Sequence, residues 1–363
     1  MDETAKAQPR DGGSTDSESS GLTRRDLLRR QAAVGAGVLA ADALLGGALA
    51  ARAAASANLT LHPQFYPVSS FTPEVDLHGK LAVITGASTG IGRAAGEALA
   101  ARGVRVIGTS RDVASVRHPP NFTLLNLDIT QPRSIDAFVR RIRRRVGPAG
   151  HVDILINNAG RGIVGNVLPP PGGADRYFRQ LQLGMQTDYT GHLMMTERML
   201  PLLPARGYAR VYFTVSITAY SVSTNALSFL HGYTAMKRAL LASANAWRST
   251  LGQARSNIGV TTINPYDVNT RFPYNLILTE QAGRGSVIAQ YVDALRHALA
   301  GSLPASLVGK AYWQLLSSNQ PPANVAAGSS AEPYATMGGN QLFDSTILAE
   351  NDQAAARFGF PRA

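Results

Sequence analysis

Short apolar runs alternate with amphipathic or alanine-rich segments along the chain from residue 79 onward. The runs occupy residues 81–84, 104–109, 122–127, 152–156, 211–215, a stretch ending at 263–265, and 322–328. Runs of this length, separated by helical patterns, are typical of strands in a parallel sheet that is covered on both faces. The pattern predicts an α/β doubly wound parallel sheet.

The most basic segment of the chain follows a helical pattern. Residues 140–145 hold five arginines. Apolar residues recur around them at helical spacing: Ile135, Phe138, Val139, Ile142 and Val146. This spacing predicts an amphipathic helix whose arginines face the solvent. The net charge of +11 is therefore interpreted as solvated surface, and we expect no nucleic acid as a partner.

The N-terminal segment has the order of an export signal. Arg24 and Arg25 precede an Ala- and Gly-rich stretch at residues 31–50, in which Asp42 is the single charged residue, and A-x-A sites follow. This order predicts a twin-arginine-type signal peptide with a disordered start over residues 1–57, and then a linker over residues 58–78. The protein is expected to be exported to the periplasm or the extracellular space. A cytoplasmic location, or a membrane association through this segment, is the alternative.

A glycine-rich turn connects the first apolar run to an alanine-rich helix. Residues 85–92 read T-G-A-S-T-G-I-G, and the helical pattern continues over residues 93–102. Glycines let the backbone approach a pyrophosphate, and the helix N-terminus offers free N–H groups. We therefore expect a dinucleotide to contact this turn, at Gly86, Ser88, Thr89, Gly90, Ile91 and Gly92.

The end of the second strand indicates which dinucleotide is preferred. An acid at this position would bind the ribose hydroxyls of NAD, but the sequence has Ser110 and Arg111. A guanidinium suits a 2′-phosphate, so NADP(H) is favoured over NAD(H). Asp112 follows directly, so NAD(H) remains an alternative cofactor. The alternative interpretation of Arg111 is an ordinary surface arginine.

Two further strand ends carry polar or small residues. Asp128 follows the third run and can accept a hydrogen bond from the adenine amino group, although an exposed loop aspartate is the simpler interpretation. Asn158, Ala159 and Gly160 follow the fourth run. Small residues at this point let a cofactor lie close, and the asparagine amide can tie neighbouring strands together.

A tyrosine and a lysine stand four residues apart in a later helical pattern. Tyr233 and Lys237 therefore share one helix face, where the ammonium is expected to lower the pKa of the phenol. A phenol with a lowered pKa exchanges protons near neutral pH. Ser216, at the end of the fifth strand, can donate to a carbonyl oxygen. The chain contains no cysteine, and no metal site is predicted.

The motifs occur in the order found in a known family: Thr85-Gly86-x3-Gly90-Ile91-Gly92, Asn157-Asn158-Ala159-Gly160, Ser216 and Tyr233-x3-Lys237. The series resembles the short-chain dehydrogenase/reductase family over roughly residues 79–335. The resemblance implies a single catalytic domain with the Rossmann fold. It also implies an NAD(P)(H)-dependent oxidoreductase that transfers hydride between the nicotinamide and an alcohol or ketone.

The resemblance assigns a role to each of these groups. Tyr233 becomes the general acid/base. Lys237 lowers the pKa of Tyr233 and binds the ribose, and Ser216 donates a hydrogen bond to the substrate oxygen. It further implies cofactor contacts beyond the sixth strand, at Pro265, Val268 and Thr270. The protein is also expected to form a homo-oligomer.

Two positions depart from the family pattern. Asp188 replaces the usual asparagine of the proton relay, and Tyr266 replaces the usual glycine after Pro265. They support the alternative of a non-catalytic NADP-binding protein. Residues 272–290 lie where the family has its substrate lid, and their apolar character indicates a small lipophilic alcohol or ketone, or simply core packing. The tail, residues 336–363, contains no readable motif.

Overall fold

A computed structural model describes residues 64–65, 72–113, 119–167, 169, 172–220, 228–254, 256–266, 268–284, 286–321 and 323–328. The strands in these ranges are β1 Gln64–Phe65, β2 Leu81–Ile84, β3 Arg105–Ser110, β4 Phe122–Asn126, β5 Ile154–Asn157, β6 Ile163–Val164, β7 Ala209–Thr214, β8 Ile258–Tyr266, β9 Val268–Asn269, β10 Ile277–Leu278, β11 Leu303–Pro304 and β12 Asn324–Gly328. The α-helices are α1 Gly90–Ala100, α2 Pro132–Val146, α3 Ala174–Met185, α4 Gly191–Met199, α5 His231–Gln253, α6 Val287–Ala300 and α7 Ala305–Leu316.

Eight strands form one parallel sheet in the order β1-β12-β8-β7-β5-β2-β3-β4. Every residue of β2 and β5 is buried, because helices cover both faces of the sheet. The predicted doubly wound, Rossmann-type sheet is confirmed, and the expected strands occur with small shifts at their ends. The short edge strand β1 lies within the segment that the sequence analysis assigned to a linker.

The helices cover the sheet with one apolar core on each face. Helices α1 and α7 pack on one face, and α2, α4 and α5 pack on the other. Helix α2 buries the apolar stripe of its predicted pattern while the arginines of residues 140–145 are exposed. The solvated interpretation of this basic segment therefore agrees with the structure.

The strand order creates a crevice at the carboxyl end of the sheet. The chain runs from β2 outward to β3 and β4, and it then returns to the opposite side of β2 as β5. The connections after β2 and β5 therefore diverge to opposite faces of the sheet, and ligands of such folds bind in the gap between them. The glycine-rich turn and Asn158 both lie there.

Among the helices in the described ranges, none combines the length and apolarity needed to cross a bilayer. The predicted signal peptide, most of the linker and the tail 336–363 lie outside the described residues.

Candidate active site

The glycine-rich turn fits tightly against the end of β5. Gly86 and Gly90 have φ angles of +65° and +58°, which side-chain-bearing residues rarely adopt. A Cβ atom on Gly86 would lie 2.7 Å from the Cα of Ala159. The Thr85 hydroxyl oxygen accepts hydrogen bonds from the N–H groups of Asn158 and Ala159, at 2.8 and 3.0 Å. The glycine-rich turn and the turn after β5 therefore form one rigid unit, called the glycine cradle from here on.

The side chain of Asn158 ties three strands together, as its sequence position suggested. Its amide nitrogen donates to the carbonyl oxygens of Thr85 at 3.1 Å and Gly86 at 3.2 Å, and its oxygen accepts from the Thr214 hydroxyl at 3.1 Å. Gly92 has no room for a Cβ beside the same amide. Its role is close packing behind the cradle.

A cavity of about 730 Å³ opens above this cradle. Nearly all the predicted site residues line it: Gly86, Ser88, Thr89, Gly90, Ile91, Ser110, Arg111, Asp128, Asn158, Ala159, Gly160, Ser216, Tyr233, Lys237, Pro265, Val268 and Thr270. Gly92 and Asp188 are not part of the lining. A direct contact of Gly92 with the cofactor stays a prediction. The side chain of Tyr266 lies outside the described residues.

The far end of the cavity is formed by the ends of β3 and β4. The Ser110 hydroxyl donates to the Ser88 hydroxyl at 3.1 Å, which links β3 to the glycine-rich turn. Arg111 is exposed and its side chain lines the cavity. One oxygen of Asp128 accepts from both the N–H and the hydroxyl of Thr130, at 2.9 and 2.7 Å. That carboxylate is therefore held in a fixed orientation at the rim.

Three predicted catalytic groups meet at the other end of the cavity. Ser216, Tyr233 and Lys237 are buried there, with exposed fractions of 6%, 9% and 2%. The Lys237 ammonium lies 5.6 Å from the centre of the Tyr233 ring and donates to the carbonyl oxygen of Thr214 at 3.1 Å. This bond fixes helix α5 against the end of β7.

Asp188 supplies the counter-ion of Lys237. It lies in a π-helical turn, Gln186–Thr190, and its carboxylate is 3.6 Å from the ammonium. The backbone N–H of Arg161 donates to both carboxylate oxygens, at 3.1 and 3.3 Å. Complete burial raises the pKa of Asp188 to about 6, although Lys237 and Arg161 act in the opposite direction. Burial likewise lowers the pKa of Lys237, and Asp188 opposes that shift.

The pKa of Tyr233 is raised, whereas the sequence analysis expected Lys237 to lower it. Burial is the main cause and the Asp188 carboxylate adds to it, while a hydrogen bond with Ser216 lowers the pKa. The lysine charge is largely neutralised by Asp188, so it does little for the phenolate. In this structure the phenol is protonated at neutral pH, which is the form that donates a proton.

Comparison with known proteins identifies the family. Residues 80–280 match the model of the short chain dehydrogenase family. The chain belongs to this family. Its sequence is 32% identical over 201 residues to an uncharacterized oxidoreductase of Staphylococcus haemolyticus, in a match that covers 54% of this chain and 80% of that protein.

Two solved structures share the fold. A short chain dehydrogenase/reductase from Burkholderia phymatum in complex with NAD gives a TM-score of 0.59 at 16% identity, covering 80% of this chain and 98% of that chain. An alcohol dehydrogenase from Thermococcus sibiricus complexed with 5-hydroxy-NADP gives 0.51 at 18% identity, covering 72% and 99%. At these identities the likeness concerns the fold alone. The family consists of oxidoreductases that bind nicotinamide cofactors.

Residues 272–290, predicted to form the substrate lid and called the lid from here on, are hydrogen-bonded to the segment that follows Gly160. Strand β10 pairs in parallel with β6. The guanidinium of Arg161 donates to the carbonyl oxygens of Asn275 and Leu276, at 3.0 and 3.1 Å. Farther along, Asn166 donates to Glu280 through both its backbone and its amide, at 2.9 Å each. The sequence did not reveal Arg161, because its partners are distant in the chain.

The apolar lid residues divide between the two interpretations that the sequence left open. Ile277 is buried in a core cluster with β6 and α6, so its apolar character reflects packing. Phe272 and Tyr274 line the cavity instead, and the Phe272 ring lies 5.4 Å from that of Tyr233. The apolar part of the site is therefore formed by only some of the lid.

Proposed function

We propose that this protein is an exported, NADP(H)-dependent oxidoreductase that acts on small lipophilic alcohols or ketones. The observation that carries the proposal is the convergence of Ser216, Tyr233 and Lys237 at one end of a cavity whose other end begins at a glycine cradle. In folds of this kind a dinucleotide lies across the carboxyl edge of the sheet, with its pyrophosphate at the glycine-rich turn. A homo-oligomer is proposed as the working form.

The residues present fit a dinucleotide. Gly86 and Gly90 of the glycine-rich turn line the cavity at the N-terminus of α1, where a pyrophosphate binds in this fold. Arg111, Arg161 and Arg271 line the cavity together with Lys237, against the single carboxylate of Asp128 among the lining residues in the described ranges. This excess of positive charge favours an anionic ligand. When bound, the nicotinamide supplies or accepts the hydride.

The protein's own groups handle the proton. In the direction of reduction, the protonated Tyr233 hydroxyl donates its proton to the carbonyl oxygen as that oxygen gains charge. Ser216 donates a hydrogen bond to the same oxygen and fixes its position. Lys237 is held beside the phenol by the Thr214 carbonyl and by Asp188, which balances its charge. In the direction of oxidation the same groups act in reverse.

Apolar side chains form part of the cavity lining: Leu230, Phe272, Tyr291, Leu295 and Leu299. Of these, Phe272 packs against Tyr233. Such a surface binds a substrate through apolar area and leaves orientation to the few polar groups near Tyr233. This supports a lipophilic carbonyl compound in preference to a sugar.

The proposed activity is tested by following the absorbance of NADPH with a panel of small lipophilic ketones, and of NADP with the matching alcohols. We expect turnover of several members. A protein that binds NADPH but turns over no member of either panel would instead be a non-catalytic NADP-binding protein.

Replacing Arg111 by alanine is expected to weaken NADPH binding by about 1.5–3 kcal/mol, the usual contribution of a hydrogen bond to a charged group. NADH binding should hardly change, because NADH lacks the 2′-phosphate. Isothermal titration of both cofactors gives the two dissociation constants. Arg102→Ala is a suitable control, since Arg102 stacks on Trp313 away from the cavity. Equal losses for NADPH and NADH would make Arg111 a structural residue.

Export is checked with a fusion of residues 1–57 to a reporter that acts only after folded export. We expect signal from the native segment. The paired replacement Arg24→Lys and Arg25→Lys should abolish it, because the twin-arginine route requires both residues. A reporter that stays in the cytoplasm with the native segment would contradict the assignment.

A further inference from the structure

A second hydroxyl holds the side chain of Ser216. The chain turns directly after β7 into a 3₁₀ helix, Ile217–Tyr220, which brings Thr218 back over Ser216. The N–H and the hydroxyl of Thr218 both donate to the Ser216 hydroxyl oxygen, at 3.2 and 3.0 Å. Both side chains are buried and both line the cavity.

These two bonds determine where the Ser216 hydrogen can point. A serine hydroxyl has one hydrogen and two acceptor positions. Thr218 fills both acceptor positions, so the Ser216 hydrogen is directed away from Thr218. The hydrogen bond between Ser216 and Tyr233 indicates that this direction leads to the phenolic oxygen, where the substrate oxygen has to lie.

We propose that Thr218 is a positioning residue that aims the Ser216 hydroxyl at the reacting oxygen. Without the Thr218 hydroxyl, one acceptor position of Ser216 opens and the hydroxyl can rotate among several directions. A donor that is oriented in advance stabilises the developing charge without having to reorganise during the reaction. The inference rests on the proposed function, since it concerns the same proton transfer.

The test replaces Thr218 by valine, which has nearly the same shape but no hydroxyl. Complete removal of one such donor typically lowers kcat by about 10²–10³-fold. Thr218→Val leaves Ser216 in place but misdirected, so we expect kcat to fall by about tenfold, with an unchanged dissociation constant for NADPH. Thr218→Ser keeps both donors and should restore most of the activity. Thr218→Ala serves in the same role if the valine variant does not fold.

A double-mutant cycle separates positioning from a structural effect. The proposed positioning works through the Ser216 hydroxyl, so in a Ser216→Ala background the valine replacement should lower kcat no further. The inference is overturned if Thr218→Val keeps kcat within about twofold of wild type, or if the two replacements multiply their effects. A wild-type protein that reduces no ketone contradicts the proposed function itself, whereas an active wild type with an equally active valine variant contradicts only the inference.

Discussion

Tyr233→Phe is expected to lower kcat by about 10²–10⁴-fold, the usual contribution of a positioned proton donor. The replacement removes one hydroxyl and almost no volume. The ring packs against Phe272 in an apolar cluster, so the fold and cofactor binding should survive. Steady-state kinetics with any ketone that the wild type reduces, together with NADPH titration, measure the two effects separately.

Tyr212→Phe is the matched control for this variant. Tyr212 is a fully buried tyrosine on β7, and it is not among the residues that line the cavity. We expect its replacement to change stability modestly and to leave kcat within about twofold of wild type. If Tyr233→Phe behaved like this control, Tyr233 would not be the proton donor.

Lys237→Ala should produce the second large effect, because it removes three interactions at once. The ammonium is lost from behind the phenol, from the Thr214 carbonyl and from Asp188. We expect kcat to fall by about 10²-fold or more and NADPH to bind more weakly. Breaking a buried ion pair from one side typically also costs about 3–5 kcal/mol of unfolding free energy, since the remaining charge has no partner. Steady-state kinetics measure the fall in kcat, cofactor titration measures the loss of NADPH affinity, and denaturant unfolding measures the loss of unfolding free energy.

Asp188→Asn distinguishes the catalytic loss from the loss of stability. In the double variant with Lys237→Ala no unpaired carboxylate remains, so stability should recover in part while kcat does not.

The single variant Asp188→Asn tests the pH dependence of kcat. The pKa of Asp188 is about 6. In the wild type the Asp188–Lys237 ion pair is therefore intact above this pH, and it is lost as the pH falls through 6 because the carboxylate becomes protonated. We expect an acid limb near pH 6 in the wild-type kcat profile and none in Asp188→Asn. A shared acid limb would assign it to another group.

Local sequence patterns were sufficient to predict the sheet, the cradle and the positions of Tyr233 and Lys237. Each depends on near neighbours in the chain: buried runs, a strand–turn–helix with glycines, and an i, i+4 spacing on α5. The sequence also contained the signal for Thr218, a hydroxyl two residues beyond Ser216, but its meaning depends on the 3₁₀ turn that folds it back.

The charge balance around Tyr233 could not be predicted in this way. The pKa of the phenol depends on how deeply the site is buried and on which group takes the lysine charge. The sequence analysis noted Asp188 as a departure from the family, but its contact with Lys237 joins a π-helical turn to a helix about 50 residues later in the chain, which local patterns do not reveal. The same limit applies to Arg161, whose partners come from a different part of the chain.

The hydrogen bonds between the lid and the segment after Gly160 bear on how the substrate range can be re-engineered. A lid grafted from another family member would lose the pairing of β10 with β6 and the bonds from Arg161 and Asn166. Residues 161–166 and 275–280 therefore form a single exchangeable module, to be transplanted together. This module begins beside the glycine cradle. Its exchange therefore also tests whether substrate specificity and cofactor affinity change together.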